Sequence, residues 1–170
     1  MKREFAIVPP DARLVWLLPG LSALIVVIGI ILLATTRESH AWLVLPVALA
    51  SFIVLALLLR RRRVTLDANT LIIAAGVNTR RVAVTGLNLA AARIIDLRER
   101  SEWKPLIKIF GTRLPGCSMG HFRLRDRSPA FVLLTDRSRV LVLPETSGKK
   151  LLLSLQQPQA LLDALRIVTG

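Results

Sequence analysis

Cys117 and His121 stand four positions apart and are the two side chains best suited to nucleophilic chemistry. A thiol beside an imidazole becomes an activated nucleophile only when both lie within hydrogen-bond reach. Nothing in this spacing enforces that, and a loop cysteine near a surface histidine is the ordinary expectation. Asp96, Glu99 and Glu102 alternate with Arg98, Arg100 and Lys104. Such mixed signs mark a solvated strand end or turn rather than paired catalytic carboxylates. With one cysteine and two distant histidines, His40 and His121, the chain assembles no familiar metal cluster or intrachain disulfide. No metal and no cofactor is expected. The segment Gly111 to Gly120 is rich in glycine but lacks the spacing of a Walker or dinucleotide loop, and no Gly-Lys-Ser/Thr occurs. Its glycines suit tight turns at a barrel rim.

The elements that would position these residues divide sharply by hydropathy. The chain is 170 residues long, 53% hydrophobic, with a net charge of +13. Between Leu14 and Leu59 the charged or titratable residues are confined to Arg37, Glu38 and His40. A run of about 22 uncharged residues, 14–35, gives roughly 33 Å of helix, and a second, 41–59, gives roughly 28 Å. Both lengths approximate a hydrocarbon core of about 30 Å, and five intervening residues would make the helices antiparallel neighbours. Pro19 and Pro46 are tolerable within such spans. Lys2, Arg3 and Arg13 precede the first run, and Arg60, Arg61, Arg62 and Arg63 close the second. The basic bias places both termini in the cytoplasm, with Trp16 and Trp42 near opposite interfaces. The four arginines read as an anchor on anionic headgroups, at about 1 kcal/mol each. A cleaved signal peptide fits poorly, because the first run is long and ends without a small-x-small site.

From Val64 the period changes to that of strands. Residues 63–66, 70–74, 80–84, 92–97, 122–125, 130–135, 140–143 and 150–154 are short β-type runs separated by turn clusters such as Asp67-Ala68-Asn69 and Asp126-Arg127-Ser128-Pro129. A helix starts near Pro158, with Leu161, Leu162, Leu165 and Val168 on one stripe. Pro105 to Phe110 forms an apolar run inside an otherwise aperiodic stretch between Leu97 and Gly120. The expected layout is an N-terminal segment 1–13, a two-span hairpin 14–59, and a domain 60–170.

This order of two spans, a basic junction and a β-rich unit resembles bacterial membrane-anchored proteins with a pleckstrin-homology-like (PH-like) domain. The residues that carry the likeness are Gly111-Thr112-Arg113-Leu114-Pro115-Gly116, then Gly120-His121-Phe122-Arg123-Leu124. They continue through 131–135 and 140–143, and end with 151–155 ahead of Pro158 and Leu161 to Leu165. The resemblance implies an α+β fold, a partly open seven-stranded β-barrel capped by a C-terminal helix. It implies a binding or scaffolding module and carries over no ligand residues, since the turn Asp67-Ala68-Asn69 lacks the basic residues of phosphoinositide binders.

The functional expectation is therefore an inner-membrane, multi-pass protein whose cytoplasmic domain binds a protein partner or anionic lipid without catalysis. Arg60 to Arg63, Trp16 and Trp42 would contact the membrane, extended by Arg80, Arg81, Arg123, Arg125, Lys149 and Lys150. Gly111, Arg113, Leu114, Pro115, Gly116 and Gly120 are the candidate partner-facing residues. Two alternatives are a membrane-bound enzyme using Cys117 and His121, and an accessory subunit, in an oligomer, of a transport or envelope complex. Nucleic acid is not expected as a partner, because the basic side chains lack interleaved stacking aromatics.

Overall fold

The β-type runs build two sheets. The computed structural model describes residues 2–10, 12–35, 46–47, 49–50, 53–54, 57, 61–76, 78–99, 102–114 and 116–169. They form two units, Asp11–Arg60 on one hand and Met1–Pro10 with Arg61–Gly170 on the other.

In the larger unit the first sheet has the order β1-β2-β3-β4, from β1 (Lys2–Phe5), β2 (Arg62–Asp67), β3 (Thr70–Ala75) and β4 (Asn78–Ala83). β3 shows why it is a strand: Leu71, Ile73 and Ala75 are buried while the residues between them are half-buried, as a period of two requires. The second sheet has the order β5-β9-β10-β8-β7-β6. Its strands are β5 (Arg93–Ile95), β6 (Pro105–Leu114), β7 (Cys117–Leu124), β8 (Pro129–Leu134), β9 (Val140–Pro144) and β10 (Lys150–Ser154). β10 lies between β9 and β8, antiparallel to the first and parallel to the second. One core, built from Phe122, Leu124, Val132, Val142, Leu152 and their neighbours, is flanked by Trp103.

The partly open barrel expected from the sequence is not closed, and among the described residues ten strands, in one antiparallel and one mixed sheet, replace the expected seven. The helix α2 (Pro158–Thr169) buries Leu161, Leu162, Ala164 and Leu165. Val168, expected on that stripe, is exposed.

The N-terminal segment bridges the two sheets. β1 pairs with β2 from Lys2↔Asp67 to Phe5↔Val64. The next residues cross to the second sheet: the Gln156 N–H donates to the Ala6 carbonyl at 3.0 Å, and the Val8 N–H to the Ser154 carbonyl at 3.2 Å. The buried Thr135 hydroxyl donates to the Val8 carbonyl at 2.6 Å. Thr135→Val should lower stability by about 1–2 kcal/mol, the cost of leaving a partly buried carbonyl without its donor. Urea unfolding would measure it, with Gln156→Ala close to neutral because its side-chain contact, at 3.5 Å, is weak.

In the smaller unit, α1 (Ala12–Thr35) is a 24-residue helix, with side chains described over residues 20–21, 23–31 and 34–35. Leu21, Leu24, Ile25, Val27, Ile28 and Ile31 are exposed. Among the described residues no helix is long and apolar enough to cross a membrane. The expected two-span hairpin and the multi-pass inner-membrane placement, with termini and domain cytoplasmic, are corrected on this ground. Within the second apolar run the described residues 46–47, 49–50, 53–54 and 57 are helical. Trp42 and Arg60 lie outside the described residues, as does the side chain of Trp16.

Candidate functional site

The hairpin of β6 and β7 contains a glycine pair. Gly111 and Gly120 face each other across the ladder, with φ of +142° and +117°. A Cβ on Gly111 would lie 2.1 Å from the Met119 carbonyl oxygen, and one on Gly120 would lie 2.3 Å from that of Phe110. Only glycine permits this approach. Register shifts between Pro105 and Ile107, and between Lys108 and Phe110, add further irregularity. The consequence is visible in Arg113, whose Nη1 donates to the Leu106 carbonyl at 2.8 Å and Nη2 to that of Pro105 at 3.4 Å. Seven residues of straight strand would separate these groups by roughly 23 Å, so β6 coils back on itself. Arg113 thereby occupies carbonyls of an edge strand.

That strand is apolar and open. Leu106, Ile107, Ile109 and Phe110 are each more than half exposed. Lys108 and Arg113 on β6, with Arg123 and Arg125 on or just after the neighbouring β7, are also exposed. Ile107 pairs directly with Arg123. An exposed cluster of large apolar side chains rimmed by charge marks an interaction surface.

A cavity of about 130 Å³ lies between the two sheets beside Ile109. Ile109, Phe122, Ala130 and Phe131 give it apolar walls, and Arg80, His121, Glu145 and Lys149 supply its polar lining. Arg80 Nη2 donates to both oxygens of Glu145 at 2.9 Å, and the Glu145 side chain is only 7% exposed. The Ser147 hydroxyl also donates to Glu145, at 2.9 Å. Arg80 Nε is buried with no acceptor among the described residues. His121 meets Phe131 edge-on, with ring centroids 5.0 Å apart. Its pKa is pushed down by burial and then by the charges of Arg80 and Lys149, so the ring favours its neutral form. Lys149 is exposed and belongs to no ion pair among the described residues.

The sequence-derived candidates scatter over this frame. Arg62 and Arg63 lie within β2 rather than after a span, and Arg63 faces Glu4 at 3.7 Å. Arg61 Nη2 donates weakly to the Thr79 hydroxyl at 3.4 Å. Gly111, Arg113, Leu114, Gly116 and Gly120 form a hairpin where a loop was expected, with Gly116 at φ +75° in its turn; Pro115 lies outside the described residues. Arg80, expected to point outward as a free cation, is the partner of Glu145. Lys150 pairs with Asp126 and sits 5.4 Å over the Trp103 ring. Arg81, Arg123 and Arg125 are exposed as expected. Cys117 is buried, which pushes its thiol pKa up against the pull of Arg62. Among the described residues no hydrogen bond joins it to His121. Asp96 accepts from the Arg98 backbone N–H at 2.7 Å, as a turn residue does. The reading of residues missed Ile109, Phe131 and Glu145; the apolar run Pro105 to Phe110 was the available signal for the first.

Two facing sheets with a C-terminal helix and an unclosed barrel define the PH-like class, whose members are generally non-catalytic interaction modules. The family model described as "Bacterial PH domain" matches residues 62–168, and the chain belongs to that family. No curated protein and no solved structure matches it.

Proposed function

We propose that this domain is a non-catalytic docking module that settles on an anionic lipid surface through the edge strand β6. The observation that carries the reading is the exposed set Leu106, Ile107, Ile109 and Phe110 beside Lys108, Arg113, Arg123 and Arg125. Apolar side chains entering an interface and cations facing anionic headgroups act together. Each cation contributes about 1 kcal/mol near such a surface, and full burial of a large apolar side chain about 1.5–3 kcal/mol. A protein partner that adds a strand to β6 is the less favoured reading. Arg113 already occupies the Pro105 and Leu106 carbonyls, which an added strand would have to contact.

The test is vesicle capture of the full chain held in an uncharged amphipathic polymer. Because α1 also exposes apolar side chains, the informative quantity is the difference between the native chain and a variant carrying Leu106→Ser, Ile107→Ser and Phe110→Ser. Binding to phosphatidylglycerol vesicles should fall about tenfold in the variant, consistent with loss of partial apolar burial. In the native chain it should fall as salt rises from about 0.1 M to about 1 M, where screening shortens from about 10 to about 3 Å. Equal capture by native chain and variant, or equal capture by neutral phosphatidylcholine vesicles, would sink the proposal.

A further inference from the structure

We infer that β6 is a guarded pairing edge: on an anionic surface two copies of this chain join through it, antiparallel and related by a two-fold axis. The inference rests on the lipid-surface reading above and adds a partner to it, a second copy of the chain.

β6 stands last in the order of the second sheet, with β7 as its neighbour, so one side of its backbone faces away from the ladder. Open edges of this kind invite another strand, and proteins block them with charge, bulges or a covering group. β6 carries all three. Its register slips twice, leaving Leu106 and Ile109 without a counterpart on β7. Lys108 is exposed between them. The Arg113 guanidinium lies over the Pro105 and Leu106 carbonyls, at 3.4 and 2.8 Å.

Two of these blocks depend on positive charge, which makes them removable. A two-fold pair presents the same patch from both sides. With the axis at mid-strand the two Lys108 side chains stand roughly 10 Å apart along the edge, a range over which like charges still repel at low salt. Anionic headgroups offset that repulsion. Arg113 is exposed, its acceptors are neutral carbonyls, and no carboxylate lies within ion-pair distance of it among the described residues. A guanidinium binds a phosphate through charge-assisted, two-point hydrogen bonds, roughly twice as strong as those to a neutral acceptor. Headgroup phosphates therefore draw Arg113 off the strand and free two carbonyls for a neighbouring backbone. Leu106, Ile107, Ile109 and Phe110 of two copies then present one doubled apolar patch to the same surface.

The experiment mixes ordinary and isotopically labelled full chains, held in the uncharged polymer, and treats them with a short lysine-reactive crosslinker. Mass spectrometry counts the Lys108–Lys108 links that join the two isotopic forms. Links between Lys149 side chains, exposed elsewhere on the domain, report random proximity, and the ratio of the two is the readout. On phosphatidylglycerol vesicles the ratio should rise about fivefold over the vesicle-free chain, as one offset charge contact would give. Arg113→Ala should raise it by a similar factor without vesicles, in a protein whose urea midpoint shows it folded. Capture of the native chain by phosphatidylglycerol vesicles with no rise in the ratio would overturn the pairing and leave the lipid reading standing. Failure of capture would sink the lipid reading, and the pairing with it. An equal rise on phosphatidylcholine vesicles would reduce the effect to crowding and overturn the charge switch. A folded Arg113→Ala with an unchanged ratio would overturn the guard.

Discussion

Gly120→Ala is expected to cost more than about 4 kcal/mol and to leave little folded domain, a size reserved for a few severe mechanisms. The added Cβ would meet the Phe110 carbonyl oxygen at 2.3 Å, Gly111 Cα at 2.7 Å and Asn78 Nδ2 at 3.0 Å. The first two are backbone atoms of the facing strand, so relief requires the ladder itself to part. The φ of +117° adds conformational strain for any residue with a Cβ. Gly111→Ala should behave alike, because its Cβ would meet the Met119 carbonyl oxygen at 2.1 Å. Gly148→Ala is the control. It has φ +80° but nothing within 4 Å of the added atom, so it should cost only about 1–2 kcal/mol. Denaturant midpoints of the full chain would rank the three variants. Near-native stability for Gly120→Ala would refute the close-approach account of the hairpin.

Arg80→Ala should cost about 3–5 kcal/mol, the usual penalty for removing one member of a buried ion pair. The penalty comes from what stays behind: a Glu145 side chain 7% exposed to solvent, with the Ser147 hydroxyl as its remaining side-chain donor. Arg80 itself is 22% exposed, so its own desolvation is the smaller part. Arg80→Met combined with Glu145→Leu should recover most of the loss, since apolar replacement of a whole buried pair is often neutral or better. A double-mutant cycle built on unfolding free energies would detect the coupling. Additivity of the two single substitutions would show that the pair is not acting as a unit.

Where burial follows one face or covers both, the sequence announces the strand. β2, β3, β8, β9 and β10 fall where alternation or short apolar runs place them, and the C-terminal helix begins at Pro158 as its fixed φ suggests. β6 escaped because both its faces are open: Leu106, Ile107, Lys108, Ile109 and Phe110 are all exposed, so no alternation is imposed. The first half of β7 escaped because Gly111 and Gly120 look like loop residues, when their lack of side chains is what lets two strands touch. β1 is a four-residue strand containing two basic residues, and no local pattern reveals its partner more than fifty positions away. The Arg80–Glu145 pair spans 65 residues, so an arginine that reads as a surface charge becomes part of a cavity lining only in the folded chain. The apolar runs at 14–35 and 41–59 had suggested two membrane-length helices, a reading the described helical residues do not sustain.

The N-terminal segment that ties the sheets together also sets the order in which the protein can be finished. Ile7 bridges to Leu155, about 150 residues later in the chain. β1 meets β2 about sixty residues later, but the segment 154–156 that receives residues 6–8 arrives only with the last part of synthesis. At about 5–20 residues per second, that wait is roughly 8–30 seconds, during which the apolar stretch of α1 is already outside. Contacts between the two ends of a chain are slow to close, so the interval is one in which a chaperone or another surface has first access to the nascent protein.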